Sequence, residues 1–154
     1  MINIYKSIVS KLKEKLKKSE FKDVKIVSEE VEGTILRPSL KIELEDINSS
    51  LYNPFNTTKT ISFMIYFFAK DRYNYKLDNL KMAEIFDKTF VDTLKINDNF
   101  YVEINEVNIE TIDTVLTCSF ELTYIENIDR TEKDNIENPN EDFMENLYYK
   151  GEFN

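Results

Sequence analysis

The most hydrophobic stretch of the chain is residues 60–68, TISFMIYFF, which is apolar on both faces of a predicted β-strand. Successive side chains of a strand point to opposite faces of its sheet. The odd-numbered isoleucines and phenylalanines would therefore share one face, and Met64, Tyr66 and Phe68 would share the other. Strands that are apolar on both faces lie in sheets that are covered on both sides. We predict a central strand with this chain's helices on one face, and either more of this chain or another protein on the other.

Two segments show the spacing of three and four residues that is typical of amphipathic helices. Residues 2–18 place an apolar stripe opposite a lysine-rich face, and residues 77–94 form the second segment. The stripes are Ile4, Ile8, Leu12 and Leu16 in the first segment, and Leu80, Ala83, Phe86, Phe90 and Leu94 in the second. For the first segment, a helix that packs on the core with a solvated lysine face is favoured over a surface for membrane or nucleic acid.

Alternating apolar and polar residues predict further strands on either side of the second helix. They are residues 24–27, 39–45, 100–109 and 115–125. Within residues 100–109 the alternation of apolar and polar residues shifts by one position, which predicts a β-bulge near Asn105 and Glu106. Residues 112–114 are the predicted hairpin turn before the last strand, and Cys118 falls on the inward face of that strand.

Residues 46–59, DINSSLYNPFNTTK, are predicted to be a long connection between two strands. Connections of this length are uncommon inside compact domains unless they have a function. This one carries Leu51, Tyr52 and Phe55, which a purely solvated loop would not need. Two interpretations stay open: the three side chains fold back onto the sheet, or the loop is an arm that docks on a partner.

The last residues differ in character from the rest of the chain. Residues 129–140 are charged and rich in asparagine, which favours an extended or disordered segment. Residues 141–149, EDFMENLYY, return to helical spacing through Phe143, Met144 and Leu147. So short a helix needs a surface to pack on, either on this domain or on an adjacent subunit.

Together these elements predict an α+β fold: an N-terminal helix, a mixed or mainly antiparallel sheet of four to five strands, two helices packed on one face, and a short C-terminal helical tail. We predict a single domain over residues 1–126. Residues 127–154 would form an acidic, partly flexible extension.

The net charge of −9 is unevenly distributed along the 154 residues. Residues 1–25 carry eight lysines against three acidic residues, and residues 126–154 carry nine acidic against three basic residues. An acidic chain repels phosphate, so specific binding of nucleic acid is not expected. The opposite charges of the two ends have two interpretations: both are solvated runs of charge, or one end of a copy attracts the other end of its neighbour.

The residue types that most catalytic and metal sites need are missing from the sequence. There is no histidine, Cys118 is the only cysteine, and Gly33 and Gly151 stand alone. This argues against nucleophilic triads, thiolate zinc sites and phosphate-binding glycine loops. We predict no enzyme, no cofactor and no metal. A single cysteine, the lack of a signal peptide and the lack of a membrane-length apolar run favour a cytoplasmic protein.

The element order and several local segments resemble the tail terminator proteins of contractile-tailed phages, prophages and phage-tail-like bacteriocins of Gram-positive bacteria. The resemblance lies in the lysine-rich first helix, in FMIYFFAKDRYNY directly before KLDNLKMAEIFDKTF, in YVEINEVNIETIDTVLTCSFELTYIE, and in the acidic EDFMENL near the end. It implies a homohexameric ring at the head-proximal end of the tail tube. Such a ring stops tube polymerisation, offers a surface for head attachment and, in contractile systems, contacts the last sheath ring, without catalysis.

The resemblance implies tail tube and sheath proteins as partners, a possible head-completion partner, and a location first in the cytoplasm and then in the virion or tail-like particle. The expected subunit and partner contacts are Tyr52, Phe55, Met64, Tyr66, Phe68, Phe143, Met144 and Leu147. The alternatives are a head–tail connector or tail-completion protein, and a small acidic monomeric binding or immunity protein.

Overall fold

The computed structural model describes residues 1–27 and 34–129. The elements follow in the order α1 (Ile2–Lys17), β1 (Lys25–Val27), β2 (Ser39–Asn53), β3 (Asn56–Phe68), α2 (Lys76–Phe90), β4 (Thr93–Asn97), β5 (Phe100–Glu103), β6 (Val107–Ile112) and β7 (Val115–Asn127). This confirms the predicted α+β fold for the described part of the chain. The predicted C-terminal helix lies outside the described residues.

The main sheet has five strands in the order β1-β2-β3-β7-β6, so the apolar strand β3 is central as predicted. The short β1 runs parallel to β2, and every other pair in this sheet is antiparallel. The sheet is therefore mixed but mainly antiparallel.

Both helices cover the same face of this sheet. All four stripe residues of α1 are buried, because a four-residue spacing keeps them on one side of the helix. They share one core with Phe63 of β3 and with Leu116, Cys118 and Phe120 of β7. Burying a side chain such as Phe63 contributes about 1.5–3 kcal/mol, so this face supplies most of the hydrophobic stabilisation.

The second helix is shorter than predicted, and it presents a different face to the core. It ends at Phe90 because Val91 leaves the helical region at φ −75° and ψ 75°. Leu94 is buried, but it lies in β4. Leu80 is 62% exposed, while Asn79 and Met82 are buried in its place. The side-chain amide of Asn79 donates to the carbonyl of Thr114 at 3.2 Å, which allows a polar residue to face inward.

The predicted strand over residues 100–109 is wrong, because two strands of different sheets occupy this stretch. β5 pairs with β4 in a separate two-stranded sheet, and β6 pairs with β7. The alternation of apolar and polar residues shifts here because the chain passes from one sheet to the other, through the buried Ile104, and not because of a bulge within one strand.

The predicted loop over residues 46–59 is also wrong, because β2 and β3 continue through it as a hairpin with its turn at Pro54 and Phe55. The polar residues of this stretch hide the alternation that marks a half-buried strand. Backbone pairing to β3 nevertheless continues out to Asn53, with register shifts near Glu45 and Tyr52.

The hairpin turn between β6 and β7 was predicted correctly. Ile112 pairs with Val115, and the two residues between them have positive φ angles, 48° at Asp113 and 75° at Thr114. Positive φ at both central residues is the geometry of a type I′ turn, whose twist matches that of the flanking strands.

Candidate assembly surfaces

A three-stranded arm extends from the core. It consists of residues 46–53 of β2, 56–60 of β3 and 123–127 of β7, and none of its side chains is buried. The last buried side chains before the arm are those of Ile61 and Leu122. The arm is therefore held mainly by backbone pairing, and its surface is accessible in the isolated chain.

Large apolar side chains cluster at the tip of the arm. Leu51, Tyr52 and Phe55 are 69%, 63% and 73% exposed. The turn that follows Leu51 and Tyr52 and carries Phe55 is held by hydrogen bonds: the Asn53 side chain accepts from the backbone N–H of Phe55 at 2.8 Å, and Ile128 N–H donates to the carbonyl of Phe55 at 2.8 Å. Within the described residues these side chains do not fold back onto the core, and docking of the arm on a partner stays a prediction.

An apolar row continues along β2 on the same sheet face as the core. Leu44, Ile47 and Leu51 are all exposed. Their partners in register on β3 are Phe63, Ile61 and Thr57, whose side chains share that face. The row is thus an extension of the core face that the helices do not cover.

The opposite face of the sheet is amphipathic. Met64, Tyr66 and Phe68 are half-buried there. Polar residues flank them in register, since Met64 lies between Glu43 and Ser119, and Tyr66 between Lys41 and Thr117. At Met64 and Tyr66 the apolar part of this face is therefore one strand wide.

Two groups near this strip show how it is partly covered. The Arg37 guanidinium lies 5.7 Å from the centre of the Phe68 ring. Burial, followed by the nearby carboxylates of Glu43 and Glu45, raises the pKa of the Tyr66 hydroxyl. Tyr66 therefore stays neutral at physiological pH. The role of the strip in subunit contacts stays a prediction.

The arm has an open backbone edge on each side. β1 pairs with β2 only over Ser39–Lys41, and β6 pairs with β7 only up to Phe120. Beyond these points, no strand of the described residues pairs with the outer edge of β2 or of β7. Unpaired strand edges are templates for pairing with another chain.

A cleft of about 990 Å³ lies beside the open edge of β7. Its rim carries the carboxylates of Glu103, Glu106 and Glu121, and Phe100 packs edge-on against Tyr124 with ring centroids 5.4 Å apart. Such a surface favours a polar or basic partner over an acidic one. Sequence reasoning missed the cleft and both open edges, since they depend on where neighbouring strands stop.

The lysine-rich face of α1 is partly engaged within the chain. Lys11 Nζ contacts Asp92 Oδ2 at 3.3 Å and donates to the carbonyl of Thr93 at 3.1 Å. A hydrogen bond from the Thr93 backbone, and then Lys11, lower the pKa of Asp92. Lys18 pairs with Glu14 at 2.7 Å, and Lys13 is exposed. This face thus ties α1 to β4 and also presents positive charge to the surroundings.

The remaining predicted contact residues, Phe143, Met144 and Leu147, lie outside the described residues. Among the described residues there is no cluster of acidic residues and cysteine that could hold a metal ion. No helix in residues 1–27 or 34–129 is long and apolar enough to span a bilayer.

Comparison with known proteins identifies the family. A family model described as phage tail terminator protein matches residues 3–134, a range that contains every described strand and α2, and all of α1 after its first residue. No curated protein matches the chain. The family is one of structural components of phage tails, which implies interaction with other tail components. On the extent of this match, the chain belongs to the phage tail terminator protein family.

Proposed function

We propose that this protein caps the tail tube at its head-proximal end as a ring of identical copies, with six copies as the expected number. The ring ends polymerisation and offers a surface for attachment of the head and, in a contractile particle, of the last sheath ring. Membership of the family supports a structural role in the tail. The capping role goes beyond that, and the observation that carries it is the arm with its exposed apolar tip.

The arm suits a surface that is completed by assembly. Fully burying Leu51, Tyr52 or Phe55 would contribute about 1.5–3 kcal/mol for each side chain. Two of these groups lie on strand β2 and one on a turn held by hydrogen bonds, so they can be buried without first ordering a loop, and this lowers the entropic cost of association. We assign the arm to contacts within the ring and with the tube end. Met64, Tyr66 and Phe68 form a second proposed contact strip.

The charge of the chain is compatible with this role. Copies with a net charge of −9 present a surface that repels DNA, which has to pass a tail terminator in a phage without being bound. The exposed lysines of α1 then provide positive charge for contact with acidic surfaces of protein partners.

The direct test is polymerisation of the purified tube protein with and without this protein, with tube lengths measured by negative-stain electron microscopy. Capping predicts a length distribution that shortens as the ratio of this protein to tube protein rises. Lengths that do not depend on this ratio would contradict the proposal.

A matched pair of variants tests the part played by the arm. Phe55→Ser removes an exposed aromatic ring from the tip, and Tyr73→Ser removes a ring that is 88% exposed in the loop before α2. We expect loss of capping for Phe55→Ser only. Binding to isolated heads rather than to tube ends would favour a head–tail connector, and a monomer that binds neither would favour a small binding or immunity protein.

A further inference from the structure

The two open edges of the arm lie on opposite sides of the same three strands. The outer edge of β2 is free from Ile42 to Asn53, and that of β7 from Glu121 to Asn127, with respect to every described strand. A surface and its complement at different places on one molecule produce a head-to-tail contact, which closes into a ring when the rotation allows.

Beyond Lys41, no strand of the described residues covers the outer edge of β2, and residues 47–53 lack the side chains with which natural sheets protect free edges. Such edges usually carry lysine, proline, a strong bulge or a cover. Residues 47–53, INSSLYN, contain neither a charged residue nor a proline. One register shift precedes this segment near Glu45 and another lies within it near Tyr52, but pairing to β3 is regular from Asp46 to Leu51. That leaves a continuous segment able to accept another strand.

Direction and position of the two edges match. β2 and β7 are both antiparallel to β3, so they run in the same direction. The two strands also pair with the same residues of β3. Ser50 and Ile125 both lie opposite Thr58, and Asn48 and Thr123 both lie opposite Thr60. If a neighbouring copy is related by rotation about an axis along the arm, its β7 lies parallel to β2 of the first copy.

Side-chain chemistry supports this pairing. On the core side of the arm, β2 presents Ile47 and Leu51, and β7 presents the half-buried Tyr124. Strand pairing between copies would set the Tyr124 ring of one copy against the two aliphatic groups of the next. Aromatic and aliphatic neighbours on adjacent strands stabilise a sheet.

We propose that the outer edge of β2 in one copy pairs in parallel with the outer edge of β7 in the next, so that the arms join into one continuous sheet around the ring. The occupant of each edge is therefore a second copy of this chain. The inference rests on the proposed ring and specifies how its subunits are joined.

Cysteine cross-linking tests the pairing. The double variant Ser50→Cys/Ile125→Cys is oxidised to form disulfides, which need Cα atoms within about 7 Å. They can bridge the ~4.8 Å between paired strands of two copies, but not the roughly 9.6 Å across β3 between the two positions in one copy. Native Cys118 is buried, and burial raises the pKa of its thiol to about 12, so it does not compete in disulfide formation. Barrel closure staggers strands, so Ser50→Cys is also combined with Thr123→Cys and with Asn127→Cys. The reactions are run with the protein alone and bound to tubes.

The expected result is a ladder of covalent oligomers on denaturing gels for at least one double variant, with single variants and the control Ser50→Cys/Tyr73→Cys remaining monomeric. A covalent dimer from Ser50→Cys alone would mean that two β2 edges pair with each other, and it would overturn the proposal. Tube capping by the unmodified protein without any ladder would overturn the edge pairing but leave the proposed function standing. Failure of both assembly and capping would overturn both.

Discussion

Phe90 of α2 stacks on Phe120 of β7, with ring centroids 4.8 Å apart and an angle of 24° between the planes. Phe120 also stacks on Phe63 of β3 at 5.9 Å, so one ring joins the helical layer to the two central strands. The arm lies beyond this core and contributes no buried side chain. Folding and assembly therefore depend on different residues, and mutations can separate them.

Phe120→Ala is expected to lower the free energy of unfolding by about 3–5 kcal/mol, because it removes a buried ring and leaves a cavity between helix and sheet. Phe55→Ala, at a side chain that is 73% exposed, should leave that free energy within about 0.5 kcal/mol of the parent. Urea denaturation followed by circular dichroism measures both. Equal losses for the two variants would show that the arm is part of the cooperative core.

Thr114→Gly is expected to stabilise the chain by up to about 1 kcal/mol. A β-branched residue at φ 75° is strained, and relief of this strain outweighs the extra conformational entropy that glycine loses on folding. The hydroxyl of Thr114 is buried and has no hydrogen-bond partner among the described residues, so its loss removes a second cost. The carbonyl that accepts from Asn79 is retained. Thermal unfolding should show a higher midpoint for Thr114→Gly and a lower one for the control Thr111→Gly, which weakens strand β6.

The stability of the folded chain is expected to depend on pH through the carboxylate of Asp92. Its pKa is lowered in the folded chain by the Thr93 backbone and by Lys11. The ionised carboxylate therefore adds stability above the ordinary pKa of an aspartate, and that stability is lost as the pH falls through the lowered value. Asp92→Asn should lower stability at neutral pH and approach the parent in acid. Denaturation midpoints of the parent and of Asp92→Asn are compared between neutral pH and pH ~3. A difference between the two midpoints that grows as the pH falls would contradict the prediction.

Ser50→Lys tests the open β2 edge by adding the residue that natural edges use for protection. Ser50 is exposed, so the stability of the monomer should stay within about 0.5 kcal/mol of the parent. The apparent affinity between copies, measured by native mass spectrometry, or the apparent affinity for tube ends should decrease at least tenfold. Ser10→Lys adds the same charge on α1 and should leave assembly unchanged. An equal effect of both variants would indicate a general effect of the added lysine charge rather than a blocked edge.

Hydrophobic patterning was sufficient to predict the elements whose packing it controls. The stripe of α1, the central position of β3 and the inward face of β7 all follow from apolar residues at regular spacing. The turn at Asp113 and Thr114 followed from its short polar sequence between two apolar runs.

Patterning failed where backbone pairing rather than burial controls the structure. Residues 47–50 of the arm are strand because their backbone pairs with β3, although their side chains are exposed. The division of residues 100–109 between two sheets depends on pairing of the first part with β4 and of the second part with β7, which no period within these residues encodes. The open edges and the cleft are consequences of strand lengths, and only the three-dimensional pairing reveals them.

The most direct test of the capping role is regrowth of tubes that have been incubated with this protein. Preformed tubes are first saturated with the protein, and fluorescently labelled tube protein is then added and located along each tube by microscopy. The proposed cap predicts new growth at one end only, with this protein at the other end. Growth at both ends, or this protein bound along the tube sides, would contradict it.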